Sequence, residues 1–228
     1  MTVHPWHVPR SGLTQRMGAR DLGTFMTVCP EVRYQPGDAI FRIGDPAEQL
    51  HVVTKGQVKL TVGTPRGQER ILAVCGPDDL FGEAFVLDQQ AYRVDAIALE
   101  ETATCPMSRD QFAQLAQRLP SFAVTFAGVL ATHLFECRDQ LGQAYDPIRV
   151  RVANVLLAQA ERFGAPDGDG WVRLRTRLRH EEIASMVSAT RVSVTTALGE
   201  FREMGLMQGT RGRYRLRIAG LAAFVDEG

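Results

Sequence analysis

The chain has 228 residues, of which 45% are hydrophobic and 23% are charged, and its 26 cationic and 26 acidic side chains leave no net charge. This composition is typical of a globular protein of one or two domains. No apolar run approaches the roughly 18 residues that span a bilayer, so no membrane partner is expected. The N-terminus is rich in His and Arg and has no apolar signal core, which predicts a cytoplasmic protein.

Four cysteines, Cys29, Cys75, Cys105 and Cys137, lie far apart in the sequence. Metal and iron–sulfur sites favour close spacing such as C-x-x-C, so neither a metal nor a cluster is expected. A structural role is the favoured interpretation of these cysteines, with redox sensing as the alternative. No nucleophile–base set or phosphate loop is visible, which indicates a protein that is not an enzyme.

Turn residues divide the first half of the chain, from about Val32 to Met107, into short β-rich runs. The turns recur every 8–12 residues or so, and the runs between them often alternate apolar and polar side chains, as expected for an antiparallel barrel. The predicted strands include Ala39–Phe41, Leu50–Val53, Val58–Val62 and Arg70–Val74.

Helical periodicity replaces this pattern after Ser108, which is placed to cap a short helix ending at Leu119. Pro120 then begins a longer helix over residues 121–144. Its apolar stripe favours a coiled-coil dimer seam, with ordinary core packing as the alternative. The predicted seam residues are Phe122, Phe126, Val129, His133, Cys137 and Leu141.

Asp146-Pro147 ends this helix and forms a predicted hinge. We expect three parts: a β-barrel domain at 1–120, the dimerisation helix and hinge at 121–147, and a second, smaller domain of helices and strands at 148–228. The last part is predicted to contain a helix at 150–163, a strand at 171–178, two helices and a basic strand at 211–218. The fold class is therefore α+β.

The region from Arg149 to Arg217 has thirteen arginines and seven carboxylates, a net charge of +6 in a neutral chain. This asymmetry points to a polyanionic partner for this region, although a solvated cationic surface is the alternative. Within it, Ile183, Ala184 and Val187 form one helix face, and small residues at 188–190 precede a second helix, Arg191–Met204. Two short helices around a tight turn are typical of a helix-turn-helix, with a plain helical hairpin as the alternative.

In a helix-turn-helix, side chains at the start of the second helix enter the major groove of double-stranded DNA. Arg191 is predicted to pair with guanine, Thr190 and Ser193 to contact phosphates, and Arg215 to join the phosphate contacts of the wing. The predicted DNA-binding residues are Arg179, His180, Thr190, Arg191, Val192, Ser193, Thr195, Thr196, Arg211 and Arg213.

The segments Glu181-Glu182-Ile183-Ala184 and Ser188-Ala189-Thr190-Arg191-Val192-Ser193-Val194-Thr195 resemble the DNA-binding motif of the cyclic-AMP receptor/FNR superfamily, especially its nitrogen-regulator branch. The glycines of the first half also stand where those of that family's barrel stand. The resemblance implies a homodimeric transcription regulator that recruits RNA polymerase, so activation is expected. Val192 replaces the family's glutamate and Thr196 its second arginine, so an apolar contact with a thymine methyl is expected at Val192.

The same resemblance implies an effector site in the barrel, where a Gly-Glu pair and a later Arg-Ser pair hold a cyclic nucleotide. Here the candidate residues are Gly82, Glu83, Tyr92, Arg93 and Val94. Two registers are possible. In the first, Arg93 takes the place of the family's arginine and Val94 that of its serine. In the second, Tyr92 takes the place of the arginine and Arg93 that of the serine. Three alternatives stay open: cyclic AMP, another small molecule, or no effector.

The sequence therefore predicts a homodimeric, sequence-specific DNA-binding regulator. The competing hypothesis is a cyclic-nucleotide-binding module whose C-terminal domain docks a protein.

Overall fold

The computed structural model describes Leu13, Met17, Phe25 and residues 30–63, 69–87 and 91–227. These residues form two compact units, the first ending at Leu134 and the second beginning at Phe135. The division falls inside the predicted dimerisation helix. The domain boundaries after residues 120 and 147 stay predictions.

The first unit contains two antiparallel four-stranded sheets, with strand orders β1-β8-β3-β6 and β2-β7-β4-β5. The strands are β1 (Val32–Tyr34), β2 (Ala39–Phe41), β3 (Gln49–Lys55), β4 (Val58–Gly63), β5 (Glu69–Cys75), β6 (Leu80–Phe81), β7 (Asp95–Ala98) and β8 (Thr102–Ser108). All four strands predicted from the turn rhythm are present, and the α+β barrel interpretation is confirmed.

Aspartates close three turns of this unit in the same way. The side chains of Asp38, Asp45 and Asp79 each accept a hydrogen bond of 2.7 Å from the backbone N–H three residues earlier. The glycine before Asp45, Gly44, has φ +92°, a backbone conformation that side-chain-bearing residues rarely adopt. The Gly-Asp pairs therefore mark turns because each residue contributes a distinct part of the reversal.

Two helices follow the barrel: α1 (Arg109–Arg118) and α2 (Pro120–Gly142). As predicted, Ser108 caps α1, since its hydroxyl accepts from the Gln111 N–H at 3.3 Å. Among the described residues no single helix has the length and hydropathy of a membrane span. Helix α1 and residues 120–135 of α2 reach that length and hydropathy only when taken together, and they are bent by 119° relative to each other. Buried core helices can also meet these two criteria.

The inner face of α2 belongs to the core of its own chain. Phe122, Phe126 and Val129 are buried there, and Phe112 of α1 packs edge-on against both phenylalanines, with ring centroids 5.2 and 4.9 Å away. The first half of the predicted dimer seam is thereby corrected: these three side chains are already covered within one chain. Of the other predicted seam residues, His133 is half-buried, while Cys137 and Leu141 are exposed.

The opposite face of α2 carries a different apolar stripe. Val124, Ala127, Ala131 and Leu134 recur at spacings of three and four, and all four are exposed. Val124 exposes 74% of its surface and Leu134 51%; Leu141, which continues the spacing, exposes 71%. This alternation of three and four is the a/d pattern of a coiled coil.

The second unit contains α3 (Ile148–Phe163), β9 (Gly164–Pro166), β10 (Trp171–Leu174), α4 (His180–Val187), α5 (Arg191–Glu203), β11 (Met207–Gln208), β12 (Arg215–Arg217) and α6 (Ile218–Glu227). Its four strands form one antiparallel sheet in the order β11-β12-β10-β9. The fully buried Leu156, Ile183, Leu198 and Phe201 join α3, α4 and α5 in one core.

Two strands of this unit are shorter than predicted. The expected strand at 171–178 ends at Leu174, and the expected basic strand at 211–218 is reduced to Arg215–Arg217. Gly209, Arg211 and Gly212 all have positive φ, which bends the chain into a turn where alternation suggested a strand. The last residue of that predicted strand, Ile218, instead begins α6, a helix that was not among the predicted elements.

The cysteines differ in state. Cys105 is buried and disulfide-bonded, whereas Cys75 and Cys137 carry thiols, buried and exposed respectively. Cys29 lies outside the described residues. No group of three His, Cys, Asp or Glu side chains within the described part of the chain is arranged to hold a metal ion.

Candidate nucleic-acid interface and effector site

A sharp turn at Ser188 sets the angle between α4 and α5. Ser188 has φ +52°, and the next N–H, that of Ala189, donates to the Ala184 carbonyl at 3.0 Å, which ends α4. Thr190 then caps α5, because its hydroxyl oxygen accepts from the Ser193 N–H at 3.1 Å. In the predicted turn of small residues, Ser188 therefore ends α4, and Thr190, two residues later, caps α5.

Arg151 of α3 holds the end of α4 in place. Its guanidinium donates to the Val187 carbonyl at 2.6 Å, and a cation there also suits the negative end of the helix dipole. This contact is not predictable from local spacing, because 36 residues separate the two groups.

Arg191 is the first residue of α5, and 69% of its side chain is exposed. The Glu181 carboxylate of α4 lies 3.6 Å from its Nε atom and is itself 65% exposed. An exposed pair of this kind is weak, so a stronger acceptor can replace Glu181. Beside Arg191, Val192 exposes 75% of its surface, which is a large fraction for an apolar side chain. These two predicted base-contacting residues are therefore available at the helix surface.

His180, at the start of α4, reaches the middle of α5. Its Nδ1 atom lies 2.8 Å from the Thr195 hydroxyl oxygen. Burial, followed by the charges of Arg202 and Arg191, lowers the pKa of His180 below its usual range, which favours the neutral ring at pH 7. Thus His180 and Thr195, both predicted as DNA contacts, also contact each other.

The remaining predicted contacts are exposed or half-buried around these helices. Arg179 precedes α4 and is exposed, with its backbone N–H donating to the Glu182 carboxylate at 2.6 Å. Thr190 and Thr196 are exposed, and Ser193 is half-buried with its hydroxyl 2.9 Å from that of Thr190.

The turn between β11 and β12 carries the other predicted cations. Arg211 and Arg213 are exposed, as a phosphate contact requires. Arg215, by contrast, is paired with Asp167 at 2.5 Å and lies over the ring of Trp171 at 5.5 Å. Arg215 therefore fastens the sheet, while 41% of its side chain stays exposed, and its role as a phosphate contact stays a prediction.

In the barrel, Gly82 lies where the resemblance places the glycine of the effector site. It has φ +84°, and an added Cβ would lie 3.0 Å from the Gln49 carbonyl oxygen and 3.5 Å from the ring of Tyr92. Only glycine fits this backbone without a shift. Glu83 follows, half-buried, at the start of a short 3-10 helix.

Tyr92, not an arginine, occupies the interior beside Gly82. Its ring is buried and stacks on that of Phe41 at a centroid distance of 3.7 Å, and its hydroxyl donates to the Gln49 carbonyl at 2.6 Å. Arg93 is exposed, and Val94 is half-buried. In the register that gives Tyr92 the place of the arginine, the interior position holds a neutral ring, which does not supply the positive charge that a buried cyclic phosphate needs. In the other register the cation is Arg93, whose side chain is exposed.

Comparison with known proteins agrees with this architecture. A model of the cyclic nucleotide-binding domain matches residues 31–119, and a model of the Crp-like helix-turn-helix domain matches residues 150–225. The cyclic AMP receptor protein of Thermus thermophilus is 32% identical over 82% of this chain and 84% of its own. The global nitrogen regulator of Synechococcus elongatus is 28% identical over 82% of this chain and 86% of its own.

Among solved structures, a CooA mutant from Carboxydothermus hydrogenoformans superposes with a TM-score of 0.77 at 21% identity, covering 97% of this chain and 99% of that chain. This likeness supports the fold.

A sensory barrel unit and a winged helix-turn-helix in one chain define a DNA-binding transcription regulator. The chain belongs to the Crp/Fnr family of these regulators. The DNA-binding interpretation is confirmed, and the comparisons do not support the competing protein-docking module.

Proposed function

We propose that the protein binds a pseudo-palindromic operator as a cytoplasmic homodimer and activates transcription by recruiting RNA polymerase. The observation that carries this proposal is the exposed start of α5, where Arg191 and Val192 stand on a helix fixed by a cap and by α4. In a two-fold dimer, two such helices are presented about 34 Å apart, one turn of B-DNA.

The dimer forms through the exposed stripe of α2, which consists of Val124, Ala127, Ala131, Leu134 and Leu141. Leaving these apolar side chains in water has a free-energy cost that pairing with a second copy removes. Their a/d spacing suits an identical helix from a partner chain. The buried stripe of Phe122, Phe126 and Val129 instead fixes α2 to its own barrel.

Duplex affinity arises mainly from the exposed arginines of the wing, and sequence preference from Arg191. Affinity for any duplex is therefore expected to fall steeply as salt is added, because bound phosphates release counterions. Arg191→Ala is expected to reduce the preference for the operator by about 1–3 kcal/mol, the usual value of a bidentate guanine contact. Fluorescence anisotropy with operator and random duplexes measures both quantities.

Arg149→Ala is the matched control, since it removes the same charge from an exposed position on α3. It should leave the preference for the operator intact. If Arg191→Ala and Arg149→Ala lose preference equally, or if duplex affinity ignores salt, the proposed function is wrong.

The match of residues 31–119 to the cyclic nucleotide-binding domain makes a cyclic nucleotide the expected class of effector, but the interior beside Gly82 leads us to propose that cyclic AMP is not needed for DNA binding. Tyr92 fills the interior beside Gly82 with a neutral ring, and Arg93 is exposed. Calorimetric titration of the full-length protein with millimolar cyclic AMP or cyclic GMP should give no saturable heat and no change in operator affinity. A stoichiometric binding isotherm would contradict this part of the proposal and leave DNA binding standing.

A further inference from the structure

Three exposed side chains share one face of the reading helix α5. Val192, Thr195 and Thr196 stand at positions i, i+3 and i+4, which lie together on a helix surface. Each side chain has at least one methyl group, and that of Val192 has no polar atom. We call Val192, Thr195 and Thr196 the methyl face.

The hydroxyl of Thr195 has its one hydrogen and one of its two acceptor sites engaged within the chain. Its single hydrogen is donated to the Arg191 carbonyl at 2.8 Å. The contact of 2.8 Å with His180 must therefore use the ring Nδ1–H as donor and the Thr195 oxygen as acceptor. His180 thus fixes both the orientation of the hydroxyl and the tautomer of its own ring.

Thr196 repeats half of this arrangement. Its hydroxyl donates to the Val192 carbonyl at 3.2 Å, so its only hydrogen is also used within the helix. Neither threonine keeps a hydroxyl donor for a base edge. Among Arg191, Val192, Thr195 and Thr196, only Arg191 keeps a side-chain donor for a base edge.

The major groove has one apolar feature for such a face to contact, the C5-methyl group of thymine. A charged or amide side chain reads hydrogen-bonding edges, whereas a methyl face gains free energy only by excluding water from another apolar group. From the methyl face we infer that this regulator selects thymine methyl groups at the base pair next to the one read by Arg191. His180 is the positioning residue: it holds the hydroxyl of Thr195 so that the methyl group of Thr195 faces the DNA. This inference rests on the proposed function.

The test removes the methyl groups from the DNA. Full-length protein is used to select binders from a duplex library with a randomised core of about 20 base pairs, two half-sites in length. Each thymine of the selected half-site is then replaced by deoxyuridine, which keeps base pairing and removes only the methyl group. At a contacted thymine the affinity should fall about fourfold, the value of one buried methyl group.

Matched variants identify the protein side of each contact. Val192→Ala should abolish the deoxyuridine penalty at one position, because the methyl group then has no partner. Thr196→Val keeps a methyl group at this position, so the loss of affinity on deoxyuridine substitution should remain. Thr196→Ser retains the hydroxyl but removes the methyl group, so that loss of affinity should disappear. A hydroxyl that reads bases would give the opposite order for the two Thr196 variants.

The outcomes separate this inference from the proposed function. If the selection enriches no sequence, the protein is not a sequence-specific reader and the proposed function fails. If a half-site emerges but deoxyuridine costs nothing at any position, or if the half-site has no thymine beside the base that Arg191 reads, the methyl-face inference is overturned while operator binding stands.

Discussion

The side of α2 that pairs two chains can be established with one substitution on each face. Leu134 exposes about half of its surface, and full burial of a leucine is worth about 1.5–3 kcal/mol, so each copy contributes about 1 kcal/mol or slightly more in a dimer. Leu134→Ala removes two copies per dimer. The dimer should therefore weaken by about 2–3 kcal/mol, a rise in dissociation constant of roughly 30- to 150-fold.

Sedimentation equilibrium of the full-length protein measures this constant directly. The control is Phe126→Leu on the buried face, which leaves a small cavity inside one chain. It should lower the melting temperature and leave the dissociation constant unchanged. Were Phe126→Leu to dissociate the dimer and Leu134→Ala to leave it intact, the assignment of the two faces would be reversed.

Three further results are expected. Burial lowers the pKa of His51 from 6.5 to about 4. As the pH falls from about 6.5 to 4, the unfolded chain is protonated at this residue before the folded chain is, so the folded state loses stability. The free energy of unfolding, measured by urea titration, should decrease by about 2 kcal/mol between about pH 7 and 5. His51→Phe should flatten that slope. Arg213→Ala should reduce the salt slope of duplex binding by about one, whereas Arg215→Ala, whose cation is already paired with Asp167, should lower stability and leave the slope unchanged. Thr190→Ala should cost about 1 kcal/mol of stability through the lost cap of α5 in thermal melts, and an unchanged melting temperature would contradict that role.

The barrel and the reading helix were predictable because their signals are local. Each Gly-Asp pair carries its own turn chemistry, and the small residues at 188–190 mark the turn between α4 and α5. The seam was harder to predict, because α2 has apolar side chains on two faces and periodicity alone does not say which face the chain covers itself. The phenylalanines were assigned to the partner, whereas Phe112 of α1 packs against them within the chain.

The long-range polar contacts could not be obtained from spacing at all. The partners Glu181 for Arg191, His180 for Thr195 and Asp167 for Arg215 depend on how elements cross in space. The terminal helix α6 was missed for a related reason. The alternating arginines through Arg217 resemble a strand up to the point where Ile218 begins the helix.

In two places this chain has an uncharged side chain where the family pattern has a charged one: at Tyr92 in the second of the two registers, and at Val192 and Thr196 on α5. The consequences of these two departures differ. In the barrel, Tyr92 places a neutral ring at the interior position beside Gly82, so the proposal expects no tight cyclic phosphate site there. On α5, Val192 and Thr196 replace charged readers, so each remaining contact discriminates less: about 0.8 kcal/mol for a methyl group against 1–3 kcal/mol for a bidentate pair. Under the proposed function, sequence choice is then expected to depend mainly on Arg191, and the net charge of +6 between Arg149 and Arg217 is expected to supply affinity that is the same for every sequence. A regulator built in this way should tolerate variation among its operators more readily than one with two arginines and a glutamate at the base edges.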